Sequence, residues 1–567
     1  MSKPFAWFVY ALTAAFFGCF FFWPIAQIVA GRGGAFVDQD GRWTLEFIAE
    51  VFRNRIYLEG LRNAFLLGVA STVATVAIAL PLAWAADRFE FPGKKLLSAL
   101  LLVPMILPPF VGAIGVRQIL GQSGSLNALL WKLGVLAPDA TIDWLGDGRF
   151  WGIVALNALH LYPILFLNLT AAFANLDPAM EEAAENLGCT GFRRFWKVTF
   201  PLIMPGLFAG GTIVFIFAFT ELGVPLIFDY GRTTPVQIFH GIKEIAGNPF
   251  PYALVTVMLA STALLYVASR VAFGSNAEAM SGKATTSSSA RPLSPLAGWI
   301  CALAFTGVTL FALLPHLGVI FVSFAGEWYR TVLPTVWTGE HYDNALGHYL
   351  TVPSIINSLK YASIATLIDI VLGVAIAYVV VRTKLPGRGL LDAAAMLPLA
   401  VPGLVLAFGY LAITQEGRVF AALNPARDPT LLLVIAYAVR RLPYVVRAAA
   451  AGLQQTSVTL EEAAQNLGAS PLRALRRVTL PLIAANVLAG GLLAFSFAML
   501  EVSDSLILAQ RQQHFPITKA IYELFQLLGE GRFVASALGV WAMLFLGVTI
   551  FATSRILGRK LGALFRI

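Results

Sequence analysis

Five ionisable side chains interrupt long apolar stretches of the sequence and are the first candidates for a chemical role: Glu221, Glu501, Asp504, Arg440 and Arg441. Asp369 is also surrounded by apolar residues. A charge within a membrane-crossing segment is costly, so such residues usually serve a function or pair with one another. Carboxylates would suit a cationic cargo, whereas guanidinium groups would suit an anionic one.

These residues leave alternatives open. Glu221 (FAFTEL) and Glu501 (FAMLEV) end equivalent apolar segments, and they could face each other across a pore or form helix-end hydrogen bonds. Arg440 and Arg441 could line a pore, or they could pair with Glu501 or Asp504. For Asp369 the sequence leaves both a pore role and a buried hydrogen-bonding role open.

Signatures of an enzyme are missing from the sequence. The six histidines are scattered and show no HExxH spacing, and the three cysteines form no CxxC pair. No GxxxxGK[ST] phosphate loop occurs, since Gly282-Lys283 is followed by alanine and has no glycine at the required upstream position. We therefore expect neither an enzyme nor a protein that binds a metal or cofactor itself.

The composition is that of an integral membrane protein. Of 567 residues, 58% are hydrophobic and 13% are charged, against about a quarter charged in soluble domains. The net charge of +9 could indicate nucleic acid, but membrane proteins concentrate Lys and Arg in their cytoplasmic loops. We expect membrane lipid, and no nucleic acid, as a partner.

Apolar blocks long enough to cross a hydrocarbon core predict twelve spans in two sets of six, near 5–29, 61–86, 96–119, 151–174, 201–222 and 251–273, then 296–324, 355–381, 390–413, 431–453, 481–508 and 533–556. The Ser/Thr/Ala-rich stretch 274–295 predicts a cytoplasmic linker between a first half, 1–273, and a second half, 296–567. The first block is too long for a signal-peptide core and is expected to stay as a helix.

The two halves repeat one another. Residues 181–211 and 461–491 match at 16 of 31 positions without a gap. Asn63 and Pro92-Gly93 also have counterparts, at an offset of 294, in Asn357 and Pro386-Gly387. Six spans per half place both copies in the same orientation, which predicts a parallel repeat. Basic residues cluster on the side of both termini, with one dissenting loop at 30–60, so both termini are expected in the cytoplasm.

Each copy of the repeated stretch contains the pattern EAA-x3-G-x9-hydrophobic-x-hydrophobic-P, which resembles the permease subunits of ABC importers. The residues that carry this resemblance are Glu182, Ala183, Ala184, Gly188 and Pro201 in loop 177–200, and Glu462, Ala463, Ala464, Gly468 and Pro481 in loop 457–480. Each glycine is expected to end a helix with φ > 0. Each proline is expected to open the next span in its first turn, after a second short helix.

The resemblance implies an all-α integral membrane protein with twelve transmembrane helices in two parallel six-helix repeats, the type I importer fold. It further implies that the two loops couple the pore to a homodimeric cytoplasmic ABC ATPase, which holds the ATP and Mg. A periplasmic or lipid-anchored substrate-binding protein would deliver the cargo to this multi-pass protein of the bacterial inner membrane.

The sequence RRLPYVVRAAAAGLQQ before the second motif resembles the ferric-iron group of these permeases, which implies ferric iron as cargo. Importers of 2-aminoethylphosphonate, polyamine or thiamine are similar in build, and the buried charges do not decide among them. A twelve-span secondary transporter is the alternative of a different class. It would not require a repeated docking motif.

Overall fold

The structure, a computed structural model, describes residues 3–38, 40–137, 139–146, 149–242, 248–280 and 291–557. Part of the predicted linker, 281–290, lies outside these residues, and its first seven residues, 274–280, are helical. The predicted division into halves stays a prediction. The described chain is helical, apart from four strands of two or three residues. This agrees with the helical membrane protein that the composition predicts.

The helices within residues 3–280 are α1 (Lys3–Phe17), α2 (Trp23–Ala30), α3 (Glu46–Arg53), α4 (Arg55–Arg88), α5 (Lys94–Leu100), α6 (Val103–Ile106), α7 (Pro109–Leu120), α8 (Ser125–Lys132), α9 (Phe150–Ala174), α10 (Pro178–Asn186), α11 (Gly191–Arg194), α12 (Phe200–Phe219), α13 (Gly223–Ile227), α14 (Thr234–Gly241) and α15 (Phe250–Met280). A π-helical turn joins α1 to α2 at Gly18–Phe22.

The helices of the remaining chain are α16 (Pro295–Ser323), α17 (Glu340–Gly347), α18 (Thr351–Arg382), α19 (Arg388–Met396), α20 (Gly403–Ile413), α21 (Thr430–Gln455), α22 (Thr459–Asn466), α23 (Pro471–Ala474), α24 (Leu480–Met499), α25 (Ser503–Leu508), α26 (Ile517–Gln526) and α27 (Gly531–Leu557). Strands β1 (Phe89–Glu90) and β2 (Arg291–Pro292) pair in parallel, and β3 (Ala325–Glu327) and β4 (Val336–Trp337) pair antiparallel.

Within the described residues, nine helices are long and apolar enough to cross a membrane, or eleven if each of two bent helix pairs is one crossing. The bends, of 91° and 98°, separate α7 and α20 from the helices before them. Pro108 and Pro402 lie at these bends, and proline disfavours helical backbone in the residue before it. The predicted span at 431–453 coincides with α21, whose three arginines make it less apolar than the others.

The helices form two compact units. Unit 1 comprises Met1–Leu58, Thr234–Leu259 and the described part of Gly339–Leu564, and unit 2 comprises Glu59–Thr233 and Ala260–Thr338. The first span of the chain, α1 and α2, therefore belongs with the helices of the second half. The seventh predicted span, α16, belongs with those of the first half.

Glycines at equivalent positions of α7 and α20 pack closely against α16 and α2. In unit 2, a Cβ on Gly115 of α7 would overlap the carbonyl oxygen of Pro315 in α16. In unit 1, a Cβ on Gly409 of α20 would lie 2.8 Å from Cβ of Pro24 in α2. Small residues let helix backbones approach closely in a membrane, where packing replaces the hydrophobic effect as the driving force.

The long helices α4 and α18 are tied at one end by equivalent asparagines. Nδ2 of Asn63 donates to the carbonyl of Arg232 over 2.9 Å, and Nδ2 of Asn357 donates to the carbonyl of Gln513 over 2.9 Å. At their other ends, the next turns contain Gly93 and Gly387 with φ of 73° and 83°. Both halves thus use the same devices to fix the second span.

Replacing Gly115 with alanine should destabilise unit 2, because the added Cβ would overlap a backbone oxygen. We expect a loss of about 1–3 kcal/mol, typical of overpacking, seen as a lower thermal unfolding temperature of the purified protein. Gly307→Ala is the matched control, since this glycine lies in α16 and no atom lies within 4 Å of the position that its new methyl group would occupy. Equal melting temperatures for the two variants would contradict the close contact.

Candidate functional site

The two motif loops have the same backbone. In the first, α10 ends at Asn186 and Gly188 follows with φ of 78°, while the amide of Cys189 donates to the carbonyl of Ala184 over 2.9 Å. In the second, α22 ends at Asn466 and Gly468 has φ of 88°. This is the six-to-one bond and left-handed glycine of a Schellman cap, as the sequence predicts.

A glutamate directly before each EAA triplet is buried and held by an arginine. Glu181 is 5% exposed, and Arg88, the last residue of α4, contacts both of its carboxylate oxygens at 2.6 and 2.5 Å. Glu461 is 4% exposed, and Nε of Arg382, the last residue of α18, donates to it over 3.0 Å. Each loop is therefore fastened to the end of a long helix in its own unit.

Hydroxyl groups complete these two sites differently. Oγ1 of Thr199 donates to Glu181 over 2.5 Å, and the hydroxyl of Tyr378 donates to Glu461 over 2.8 Å. Nη2 of Arg382 also donates to the carbonyl of Thr456 over 2.7 Å. Sequence reasoning missed both glutamates, because the family pattern begins one residue later.

The motif residues named from the sequence lie mostly on the outer surface of the loops. Glu182, Ala183 and Gly188 are exposed. Their counterparts Glu462, Ala463 and Gly468 are exposed as well, as are both prolines, whereas Ala184 is buried and Ala464 is half-buried. The leucine before each glycine projects furthest: Leu187 is 88% exposed and Leu467 is 90% exposed. Each loop thus offers an apolar tip beside small residues, which suits docking to a protein groove.

Each proline lies in the first turn of the next span, as expected, but that span continues without a break from the second short helix. In the first copy, α11 continues through a π-helical turn, Phe195–Thr199, directly into α12, and in the second, α23 continues through Leu475–Thr479 into α24. A proline in a regular helix clashes with the carbonyl four residues earlier. The wider π turn comes directly before Pro201 and Pro481 and relieves that clash.

A buried ionic cluster in unit 1 gathers the candidate residues of the second half. Nη1 of Arg440 lies 2.8 Å from Oε1 of Glu501, and Arg441 contacts the other carboxylate oxygen. Arg440 also lies 3.6 Å from Oδ2 of Asp504, whose side chain is fully buried. The pairing with carboxylates that the sequence offers is therefore present, and a place of these residues on a translocation path stays a prediction.

Asp369 lies in α18 at the level of this cluster. Gly373, one turn later, packs against Val445 of α21, and Val445 itself comes one turn after Arg441. Among the described residues, neither carboxylate oxygen of Asp369 has a hydrogen-bond partner, although the aspartate lies within electrostatic range of Arg441. The packing of α18 against α21 thus places a third acidic side chain, that of Asp369, near Arg441.

Glu221 of unit 2 has different surroundings from its counterpart. Both glutamates follow the end of a long helix, but Oε1 of Glu221 accepts the amide of Val224 over 3.1 Å. The residues equivalent to the two arginines are His160 and Leu161, and Nδ1 of His160 lies 3.0 Å from the carbonyl oxygen of Pro104. Glu221 thus forms the helix-end hydrogen bond that the sequence offers as an alternative. That the two glutamates meet across a pore stays a prediction.

The model of the family described as binding-protein-dependent transport system inner membrane component matches residues 60–277 and 369–562, which is more than half of the chain and includes both loops. The chain belongs to this family. The resemblance read from the EAA pattern is thereby confirmed, as is the expectation of a permease component rather than an enzyme.

Three relatives illustrate the membership. The ferric transport system permease protein FbpB of Actinobacillus pleuropneumoniae is 29% identical over 81% of this chain, which spans 64% of that protein's length. A putative FbpB of Haemophilus influenzae is 28% identical over 82% of this chain and 71% of its own length. A probable molybdenum permease of Haloferax volcanii is 32% identical over 38% of this chain and 76% of its own length. This last permease matches over a stretch less than half the length of the present chain.

Replacing Glu501 with alanine should strongly destabilise the protein, because two buried guanidinium groups would lose their carboxylate. Breaking a buried pair on one side costs about 3–5 kcal/mol, which should appear as a large drop in thermal unfolding temperature. Glu416→Ala removes an exposed carboxylate 3.7 Å from Arg427 in the same unit, and such surface pairs contribute about 0–1 kcal/mol. Similar melting temperatures for both variants would refute a structural role for the cluster.

Proposed function

We propose that the chain forms the pore of an ATP-driven importer. Its twelve membrane spans form two parallel six-helix repeats of the type I importer fold, with both termini in the cytoplasm. The nine helices of the described chain that could cross a membrane, the two bent helix pairs and α21 together give twelve candidate spans. The basic residues within each loop, among them Arg193, Lys197, Arg476 and Arg477, favour this orientation by the positive-inside rule.

The two loops are the docking sites for a cytoplasmic ATPase dimer, and this duplication is the observation that carries the proposal. In each loop one short helix has a buried glutamate, held by an arginine, on its inner side and is followed by an exposed leucine. A left-handed glycine comes directly after that leucine. A single chain needs two such loops if each engages one subunit of a dimer. ATP and Mg bind the ATPase subunits, and a periplasmic or lipid-anchored binding protein delivers the cargo.

Ferric iron is the proposed cargo. The support is that the two relatives from Actinobacillus pleuropneumoniae and Haemophilus influenzae reported above, which match over about four fifths of the chain, are both named as ferric transport permeases. In this arrangement the buried cluster of Arg440, Arg441, Glu501 and Asp504 holds α21 against α25. Both guanidinium groups engage Glu501, and Arg440 lies 3.6 Å from Asp504. The proposed role of the cluster is to stiffen these helices and not to coordinate the cation.

Uptake of radiolabelled ferric iron by cells tests both the proposed cargo and the need for the left-handed turn at Gly468. A strain that lacks the gene and any redundant iron importer should lose uptake, and the wild-type chain should restore it. Gly468→Val should fail to restore uptake, because a left-handed backbone costs an ordinary residue about 1–2 kcal/mol and valine more. Such a cost reduces the population of the docked loop roughly 5- to 30-fold.

Gly468→Asn is the matched control for this experiment. Asparagine tolerates the left-handed region, and no atom lies within 4 Å of the position of its Cβ, so uptake should be largely retained. Full uptake with the valine variant would disprove the turn's role. Unchanged uptake in the deletion strain would discard iron, and 2-aminoethylphosphonate, polyamine and thiamine would be tested next.

Docking can be measured separately, by co-purification of the ATPase with the tagged chain. Leu467→Asp should weaken the association at least about tenfold, because a central apolar contact contributes about 2 kcal/mol or more. Leu528→Asp is the control, since this leucine, 98% exposed, lies in the distant turn before α27. Equal recovery of the ATPase with both variants would contradict docking through the loop.

A further inference from the structure

We propose that the buried glutamates Glu181 and Glu461, with Arg88 and Arg382, are positioning residues that transmit movement of the two docking loops to the long helices α4 and α18. The inference rests on the proposed function, because it assumes that the loops are displaced by an ATPase. The family pattern does not include these four residues. Each arginine is the terminal residue of its helix, and each glutamate lies on the inner side of its loop helix.

The geometry of each pair makes the loop and the long helix move as one body. A carboxylate that is about 95% buried cannot leave its guanidinium partner without losing its compensating charge. In the first copy two nitrogens of Arg88 engage the two carboxylate oxygens, a fork geometry that also fixes orientation. A push on the exposed leucine of the loop is therefore carried to the end of the membrane-crossing helix.

The helices that receive this push are those that line the packed core of each unit. Buried residues of α4 pack with α9 and α16 in unit 2, and buried residues of α18 pack with α21 and α24 in unit 1. The far ends of α4 and α18 are held by Asn63 and Asn357. A helix that is pinned at one end and driven at the other is expected to tilt.

The two anchors are not identical, and the difference predicts unequal contributions. In the first copy Thr199, in the π turn before α12, donates to Glu181, so that loop is also tied to the fifth span. The equivalent Thr479 is fully buried, yet within the described chain its hydroxyl has no hydrogen-bond partner. In the second copy Glu461 instead accepts from the hydroxyl of Tyr378 in α18, and Arg382 also donates to the carbonyl of Thr456.

The test uses the permease–ATPase complex in lipid vesicles, with radiolabelled ferric iron and the binding protein outside, and measures iron transported per ATP hydrolysed. Glu461→Gln keeps the side-chain shape but removes the charge. The ATPase should still co-purify with this variant, while transport per ATP should fall about tenfold, within the range of ordinary allosteric couplings. The exchange Arg382→Glu with Glu461→Arg should recover a large part of the loss.

The threonine pair gives a comparison that does not depend on removing a buried charge. Thr199→Val should lower transport per ATP, whereas Thr479→Val, at the equivalent position, should leave it at the wild-type value. Equal effects of the two variants would overturn the asymmetry. Wild-type coupling with Glu461→Gln would overturn the proposal itself.

These failures differ from a failure of the proposed function. If the wild-type chain does not bind the ATPase, or if Leu467→Asp binds it normally, the docking assignment is wrong. If Leu467→Asp releases the ATPase and Glu461→Gln remains fully coupled, docking stands and only the transmission route is refuted. The melting temperature of each variant is measured in parallel. A variant that loses coupling but melts at the wild-type temperature supports the route. If every variant that loses coupling also melts at a lower temperature, and the exchange variant restores both together, the loss reflects instability and the route is refuted.

Discussion

A buried carboxylate that must stay with its guanidinium partner is the constraint on which the arrangement of the loops depends. Glu181 and Glu461 sit on short helices that bury little else, yet each is almost removed from water. Without Arg88 and Arg382 these charges would make the loop conformation unfavourable. With them, the same helix can bury an anchor on one side and present an exposed leucine on the other. The left-handed glycine then turns the chain directly after that leucine.

The second buried ionic group has another effect. Arg440 and Arg441 would be costly within a membrane-crossing helix, but Glu501 lies where α24 ends and can reach both. This pairing holds the break between α24 and α25 against α21. In unit 2 the equivalent break is held by a backbone hydrogen bond to Glu221. Two halves with the same backbone repeat therefore have different electrostatics at this break: an ion pair with two arginines in unit 1 and a backbone hydrogen bond in unit 2.

Much of this could be predicted from the sequence where a single residue type dictates the backbone. The left-handed turns at Gly188 and Gly468 are local events, as are the bends at Pro108 and Pro402, and their residues repeat at offsets of 280 and 294. The π turns were missed because the chain continues as a helix and carries no turn signal. The only available hint was a proline at the second position of the next helix.

Long-range pairing was harder to predict. The partners of Glu181 and Glu461 lie some eighty or ninety residues earlier, and the sequence shows only that all four residues recur in both halves. The assignment of α1 and α2 to unit 1, and of α16 to unit 2, was not visible at all. Apolar helices carry no pairing code beyond small residues such as Gly115 and Gly409, whose importance depends on which helix faces them.

The central claim is that one chain carries two docking sites for one ATPase dimer, and the most direct measurement is the subunit ratio of the purified complex by native mass spectrometry. The account predicts one copy of this chain with two ATPase subunits. It also predicts that the ratio falls when the loop surface of either copy is disrupted. A stable complex with a single ATPase subunit, or with two copies of this chain around one ATPase dimer, would contradict it.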